Sequence, residues 1–438
     1  MRYYSTKNKN RQAVAFAQAA LAGLAPDGGL FVPETLPEYP QAVKASLPVM
    51  NFHDIAFETI KPFVRGEIPD AILGDIVHDA FNFDAPLVAV GDRYVLELFH
   101  GPTAAFKDFG ARFMARAFSY FRRNEDKPLR ILVATSGDTG GAVADGFFGV
   151  DGISVTVLYP KGRVSPLQER QIAGLGKNIS AFAVEGSFDD CQRLVKAAFA
   201  DESLKKHMAL SSANSINIAR LVPQTVYYAN GAARAMAETG KPAVFCVPSG
   251  NFGNLTAGMY AREMGAPIRH FIAATNINKT VPDYLENGVY EPRASLPTIS
   301  NAMDVGAPSN FERMTVHWSL KQLCETLTGV FISDETTRET IKSVHSRYGR
   351  FLDPHTAVGW AALDALKSTG KITPEHAPFG TLATAHSAKF AEIVEPLTGA
   401  IPIPPSLQKV MNREIRAETI PPAVSALIEH LCPLARNN

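Results

Sequence analysis

The 438-residue chain is too long for one ordinary hydrophobic core, so two or three domains are expected. Its 43 Lys and Arg cancel 43 Asp and Glu, with 46% of residues apolar and 20% charged. That is the balance of a soluble globular protein with no general field for nucleic acid or an anionic membrane, so an anionic ligand must be held locally. The four cysteines, Cys191, Cys246, Cys324 and Cys432, form no CxxC pair. A metal knuckle or disulfide framework is therefore not expected, and a reducing cytoplasm fits.

The amino-terminal stretch is polar, and Val14, Ala17, Leu21 and Leu24 then recur at helical spacing until Pro26-Asp27-Gly28-Gly29. This apolar run is too short to span a bilayer, and neither a signal peptide nor a transmembrane helix is expected. Residues 1–90 read as a helical N-terminal domain with proline-rich connections and a second helical region at 52–81. Beyond them, short aliphatic or β-branched runs at 130–135, 153–158, 180–184, 243–247, 270–274, 329–333 and 381–385 read as strands separated by helices. The alternation predicts an α/β protein with two doubly wound, mainly parallel sheets and a ligand crevice between them.

Five segments can carry chemistry. In HGPTAAFKDFGARFMARAF (100–118), Gly101-Pro102 ends a strand and Thr103 is placed to cap a helix. On that helix Lys107 aligns with Gly110, Ala111, Met114 and Phe118, an apolar face. A lysine there either snorkels out or loses its proton and becomes a nucleophile able to condense with an aldehyde. The loop TSGDTGGA (135–142) follows a strand and precedes a helix, so backbone N–H groups and the Ser136 and Thr139 hydroxyls form an anion cradle. Asp138 within it would repel a phosphate, which favours a carboxylate or a cofactor hydroxyl.

SANSINIAR (212–220) offers Ser215, Asn217 and Arg220 as donors, Arg being suited to phosphate; an N-capping turn with an exposed arginine is the plainer alternative. PSGNFGN (248–254), again between strand and helix, makes a second cradle that suits a phosphate. Without a Walker lysine or a GxGxxG pattern, nucleotide binding is disfavoured. In LATAHSAKF, Thr384 ends an apolar run and can make one directed hydrogen bond. No metal site is evident.

Together, APDGGLFVPE, LELFHGPTAAFKDF, TSGDTGGA, NSINIARLVPQ, PSGNFGN and ATAHSAKF, in this order, resemble the threonine synthase family of fold-type II pyridoxal-phosphate enzymes. The resemblance implies that Lys107 carries pyridoxal 5'-phosphate as a Schiff base, and that Ser249, Gly250, Asn251, Phe252, Gly253 and Asn254 hold the cofactor phosphate. It places Thr384 at the ring nitrogen and Asp138, where the wider fold family commonly has asparagine, beside the cofactor. Thr103, Ser136, Gly137 and Thr139 would meet the substrate carboxylate side, and Ser215, Asn217 and Arg220 the substrate's own phosphate. The implied substrate is O-phospho-L-homoserine, converted with water to L-threonine and phosphate. A phospholyase on another phosphorylated amino acid, a dehydratase, or a catalytically silent cofactor-binding protein are the alternatives. The implied domains are 91–125 with 211–438, binding the cofactor, and a smaller mobile substrate domain at 126–210. The chain would act in the cytoplasm as a monomer or homodimer.

Overall fold

A computed structural model describes residues 1–7 and 12–431 of the chain. Near the amino terminus, β1 (Tyr3–Ser5) and β2 (Phe31–Pro33) pair antiparallel. The helices Phe16–Ala22, Phe52–Ile60 and Asp70–Ala80 send Phe16, Ile55, Ile60, Leu73 and Val77 into the same buried cluster as Tyr3 and Phe31. The expectation of an all-helical lead-in is thus corrected by one strand pair. Strands of three residues are too short to display an alternating pattern.

Next, β3 (Leu87–Val90) and β4 (Arg93–Glu97) form a hairpin about Gly91-Asp92. The strands β5 (Leu129–Ala134), β6 (Ile153–Pro160), β7 (Ile179–Val184) and β8 (Ala209–Ser212) run parallel in one sheet. They are followed by β9 (Ala243–Pro248), β10 (Ile268–Thr275), β11 (Leu327–Phe331) and β12 (Phe379–Ala383), which join the hairpin in a second sheet. Finally β13 (Ala417–Ile420) returns to the first sheet beside β7. The orders are β11-β10-β9-β12-β4-β3 and β13-β7-β6-β5-β8, parallel except at the β3 edge. Every residue of β9 and β12 is buried, as a strand covered on both faces requires.

Two expected borders move. β3 lies in the larger sheet, so the N-terminal region ends before residue 90. The smaller unit runs on to Ser212 and also recruits β13 and the helix Val424–Leu431, whose Leu427 and Leu431 pack with Leu194 and Val195 of the helix Phe188–Ala200. Residues 211–438 are therefore not wholly part of the larger unit; 432–438, including Cys432, lie outside the described residues.

In open parallel sheets ligands sit beyond the carboxyl ends of strands where the strand order reverses. In the larger sheet that point is β9, flanked by β10 and β12; in the smaller it is β5, flanked by β6 and β8. Their carboxyl ends lead into the loops 249–254 and 135–139, and those of their neighbours β12 and β8 into Thr384 and the 213–220 segment. Four of the five chemical segments are thereby delivered to switch points. The fifth, at Lys107, sits on the helix Lys107–Arg122, whose Phe109, Phe113, Met114 and Phe118 are fully buried. Each such side chain contributes roughly 1.5–3 kcal/mol of burial, which makes this helix a firm mount.

Candidate active site

The chain between β4 and Lys107 is pinned along the end of β12. Leu98 N donates to the Ala383 carbonyl at 3.0 Å, Phe106 N to that of Thr384 at 2.9 Å, and His386 N to that of Ala104 at 3.1 Å. Lys107 thus begins its helix one residue after the peptide bonded to Thr384. Thr103 does not cap this helix as expected. The helix starts at Lys107, and the Thr103 N–H and hydroxyl instead donate to the Asp108 carboxylate at 2.9 and 2.5 Å. Burial pushes the Asp108 carboxyl up to about 6 although both Thr103 bonds oppose it, and such a carboxylate takes whatever donors its turn supplies.

Gly110, Ala111, Met114 and Phe118 are all buried, so the expected apolar face exists. Lys107 does not snorkel: its side chain is only 14% exposed, and Nζ approaches Asp138 Oδ2 at 3.5 Å. Burial is the main cause lowering its pKa; Asp138 opposes this, while Lys389 and Arg220 add to it.

The loop after β5 is organised by Thr135, whose Oγ1 accepts from Gly137 N at 3.0 Å and Gly140 N at 2.9 Å. Gly137 has φ +143°, and a Cβ there would lie 2.6 Å from the Gln168 side chain. Only glycine meets both conditions. Ser136 and Thr139 are half-buried, and among the described residues their hydroxyls make no bond within the protein. Asp138, buried at the start of the helix Asp138–Phe147, receives Gln168 Nε2 at 2.9 Å and pairs with Lys389 Nζ at 2.7 Å. Burial alone would raise its carboxyl, but Lys389 and then Lys107 outweigh it and hold it well below the usual carboxylate range.

The loop after β9 is built differently. Ser249 N bonds the Ala274 carbonyl, and the Asn254 side chain turns back to the Pro248 carbonyl at 2.7 Å and its neighbour Leu255 N at 2.9 Å. Phe252 turns the chain at φ +59° into the helix Gly253–Met264. Among the described residues, no backbone N–H from Gly250 to Asn254 donates within the protein. A Cβ on Gly250 would stand 2.6 Å from Met303 Cα, so this peptide packs directly on a neighbouring backbone. Five free N–H groups at a helix start, with no carboxylate among these residues, suit a phosphate dianion. Thr384 is buried, and its hydroxyl makes no bond among the described residues. A desolvated amine, a phosphate cradle and an unclaimed hydroxyl beside it are the groups that pyridoxal phosphate requires, so the residues fit that cofactor.

Asn251 Nδ2 donates to Ser215 Oγ at 2.6 Å, which joins this cradle to the segment after β8. There Arg220 is buried, its Nη1 donates to the Ala213 carbonyl at 2.5 Å, and among the described residues its Nε has no partner. Burial brings its pKa down to about 10, partly offset by Asp108. A Cβ on Gly110 would lie 2.8 Å from Arg220 Nε, so the bare glycine lets the guanidinium lie against the Lys107 helix. The expectation for Asn217 is corrected. Both of its amide donors are spent on the Ala20 and Ser212 carbonyls at 2.8 Å, and its oxygen caps Ala219 N at 2.9 Å. A side chain so engaged shapes the turn and has no donor left for a ligand.

Three residues of this constellation escaped the sequence. Lys389 and Thr135 lie within recognised segments, and Gln168 lies on the helix Pro166–Ala173. A buried Asp138 demands a cation, which was the signal for Lys389.

Comparison with known proteins is consistent with this geometry. A pyridoxal-phosphate-dependent enzyme family model matches residues 90–382, and models of the threonine synthase N terminus and C-terminal region match 2–81 and 356–431. The threonine synthase of Escherichia coli is 43% identical over 434 residues, 98% of each chain. Its crystal structure superposes with a TM-score of 0.89 over 99% of this chain and 100% of that one, at 42% identity. A PLP-bound threonine synthase from Brucella melitensis gives 0.91 at 36% identity over 100% of both. Similarity that runs from one end of the chain to the other, through every segment of the site, means that the chain belongs to the threonine synthase family of pyridoxal-phosphate-dependent enzymes.

Proposed function

We propose that the chain converts O-phospho-L-homoserine and water to L-threonine and phosphate, with pyridoxal phosphate carried on Lys107. The observation that carries this reading is the presence of two separate anion sites around one desolvated lysine. The free N–H groups of Gly250, Asn251, Phe252, Gly253 and Asn254, with Ser249 beneath them, hold the cofactor phosphate. Arg220, with its unpartnered buried Nε, and Ser215 hold the phosphate of the substrate.

Bound there, pyridoxal phosphate supplies an electron sink for charge that develops on the substrate carbons. Lys107, in a site that disfavours its ammonium, accepts the Cα proton and later returns one, the role of a general base. Ser136 and Thr139 present free hydroxyls, and Gly137 the start of a helix, to the substrate carboxylate. Thr384 would offer a neutral hydroxyl to the ring nitrogen of the bound cofactor. Arg220 neutralises charge as the phosphate departs, the kind of preorganised donor worth most in a dry site. Asp138 stands beside the cofactor as the partner of Lys389 and Lys107, and Thr103 orders the turn before Lys107. We take the smaller unit to close over bound substrate and keep water out until its addition at Cβ. All these residues come from one chain, which a monomer or a homodimer satisfies, and cytoplasmic location without nucleic acid or membrane is part of the same reading.

Incubation of the purified chain with O-phospho-L-homoserine tests it. Phosphate and threonine should appear in equal amounts. Phosphate with a keto acid would identify a phospholyase, and bound cofactor without phosphate release a silent relative.

A further inference from the structure

Among the described residues, the one carboxylate touching Lys107 is also the one touching a second buried lysine. Lys389 follows β12 in the short helical turn Ser387–Phe390, and its side chain is wholly buried. Its Nζ lies 2.7 Å from Asp138 Oδ1 and donates to the Thr103 carbonyl at 2.8 Å. Gln168 Nε2 adds a second contact on Oδ1 at 2.9 Å, whereas Lys107 reaches only Oδ2, at 3.5 Å. Since attraction between charges falls with distance, the carboxylate is bound chiefly to Lys389.

We infer that Lys389 is a positioning residue for Lys107: it captures the Asp138 carboxylate that would otherwise pair with Lys107, and so leaves the Lys107 amine free to attack a carbonyl. Two further features agree. Asp138 opens a helix of the smaller unit while Lys389 and Lys107 belong to the larger one, so the pair also fixes the 135–139 loop against Lys107. Gln171 Nε2, from the helix Pro166–Ala173, shares the Thr103 carbonyl with Lys389 at 3.0 Å, which adds a second tie between the units. The charged groups that act on Lys107 are Asp138, Lys389 and Arg220, and Asp108 beside it on the same helix acts on Lys389 and Arg220. Of the three that act on it, only Asp138 holds a proton on Lys107; the two cations Lys389 and Arg220 expel it.

This inference rests on Lys107 as the cofactor lysine, and its test needs neither cofactor nor substrate. The full chain is freed of cofactor with hydroxylamine and dialysed, and its fold is checked by circular dichroism. Lys107 is then trace-labelled with acetic anhydride from pH 6 to 11, with the extent of labelling read by peptide mass spectrometry. In Lys389→Met the labelling midpoint of Lys107 should rise by about one pH unit, so that labelling at pH 7 falls about tenfold. Lys389→Arg, which keeps the charge, should stay near the parent chain, and Asp138→Asn should move the midpoint down. If Lys389→Met fails to fold, Lys389→Gln, which keeps a donor toward Thr103, takes its place. If both fail, Asp138→Asn carries the test alone. An unchanged midpoint in the folded neutral variant, or in Asp138→Asn where it stands alone, overturns the inference. Failure of the phosphate-release assay would instead strike the proposed reaction and leave this measurement standing.

Discussion

The loops after β5 and β9 are the same device, a turn between a parallel strand and a helix, yet they differ in what they leave free. After β9 the Ser249 and Asn254 side chains bond within the loop, Asn251 reaches out to Ser215, and among the described residues five backbone N–H groups remain unclaimed. After β5 the backbone is drawn inward by Thr135, and the free groups are hydroxyls beside an anchored carboxylate. A dianion held by backbone alone needs no change of charge in the protein and suits a permanently bound phosphate. Hydroxyls near a fixed negative charge suit a ligand that carries less charge and must also leave.

Variants that separate these duties can break the comparison. The largest effect is expected for Lys107→Ala, because it serves both loops: turnover should fall by about 10³-fold or more, with loss of the cofactor absorption band. Arg220→Met should cut kcat/KM for the phosphorylated substrate by about 10²- to 10³-fold while the cofactor spectrum stays, as steady-state assay and absorbance will report. Gly250→Ala forces a Cβ against the Met303 backbone. The cost of overpacking, about 1–3 kcal/mol, should weaken cofactor retention by roughly 10- to 100-fold on dialysis with little change in substrate KM once cofactor is saturating. Thr135→Val should do the converse. It loosens the other loop by about 1–2 kcal/mol, which raises substrate KM by about tenfold and leaves cofactor retention alone. If these two variants showed the same pattern, the division of labour between the loops would be wrong.

Much of this arrangement was legible in the sequence because long buried strands announce themselves. The cores of β5, β6, β7, β9, β10, β11 and β12 are apolar runs closed by turn residues, and they were located to within about three residues. β8 and β13 were not, since ALSS and AETI are short and mostly polar or small, and pair with strands far away in the chain. β3 alone was merged into the helical lead-in, although Gly91-Asp92 marks the turn into β4. Within the site, residue types were readable and partners were not. Asn217 has the chemistry of a ligand donor, but both its N–H bonds are spent, and Lys389, to which the sequence assigned no role, lies against Asp138. Pairing across domains is set by tertiary packing, which periodicity along the chain does not encode.

The two buried lysines on Asp138 supply the most direct test of the central claim, that Lys107 bears the cofactor. The cofactor-loaded chain is reduced with borohydride, digested and mapped by mass spectrometry. The account predicts the pyridoxyl phosphate mass on Lys107 and none on Lys389. The mass on Lys389, or on any lysine other than Lys107, would contradict it.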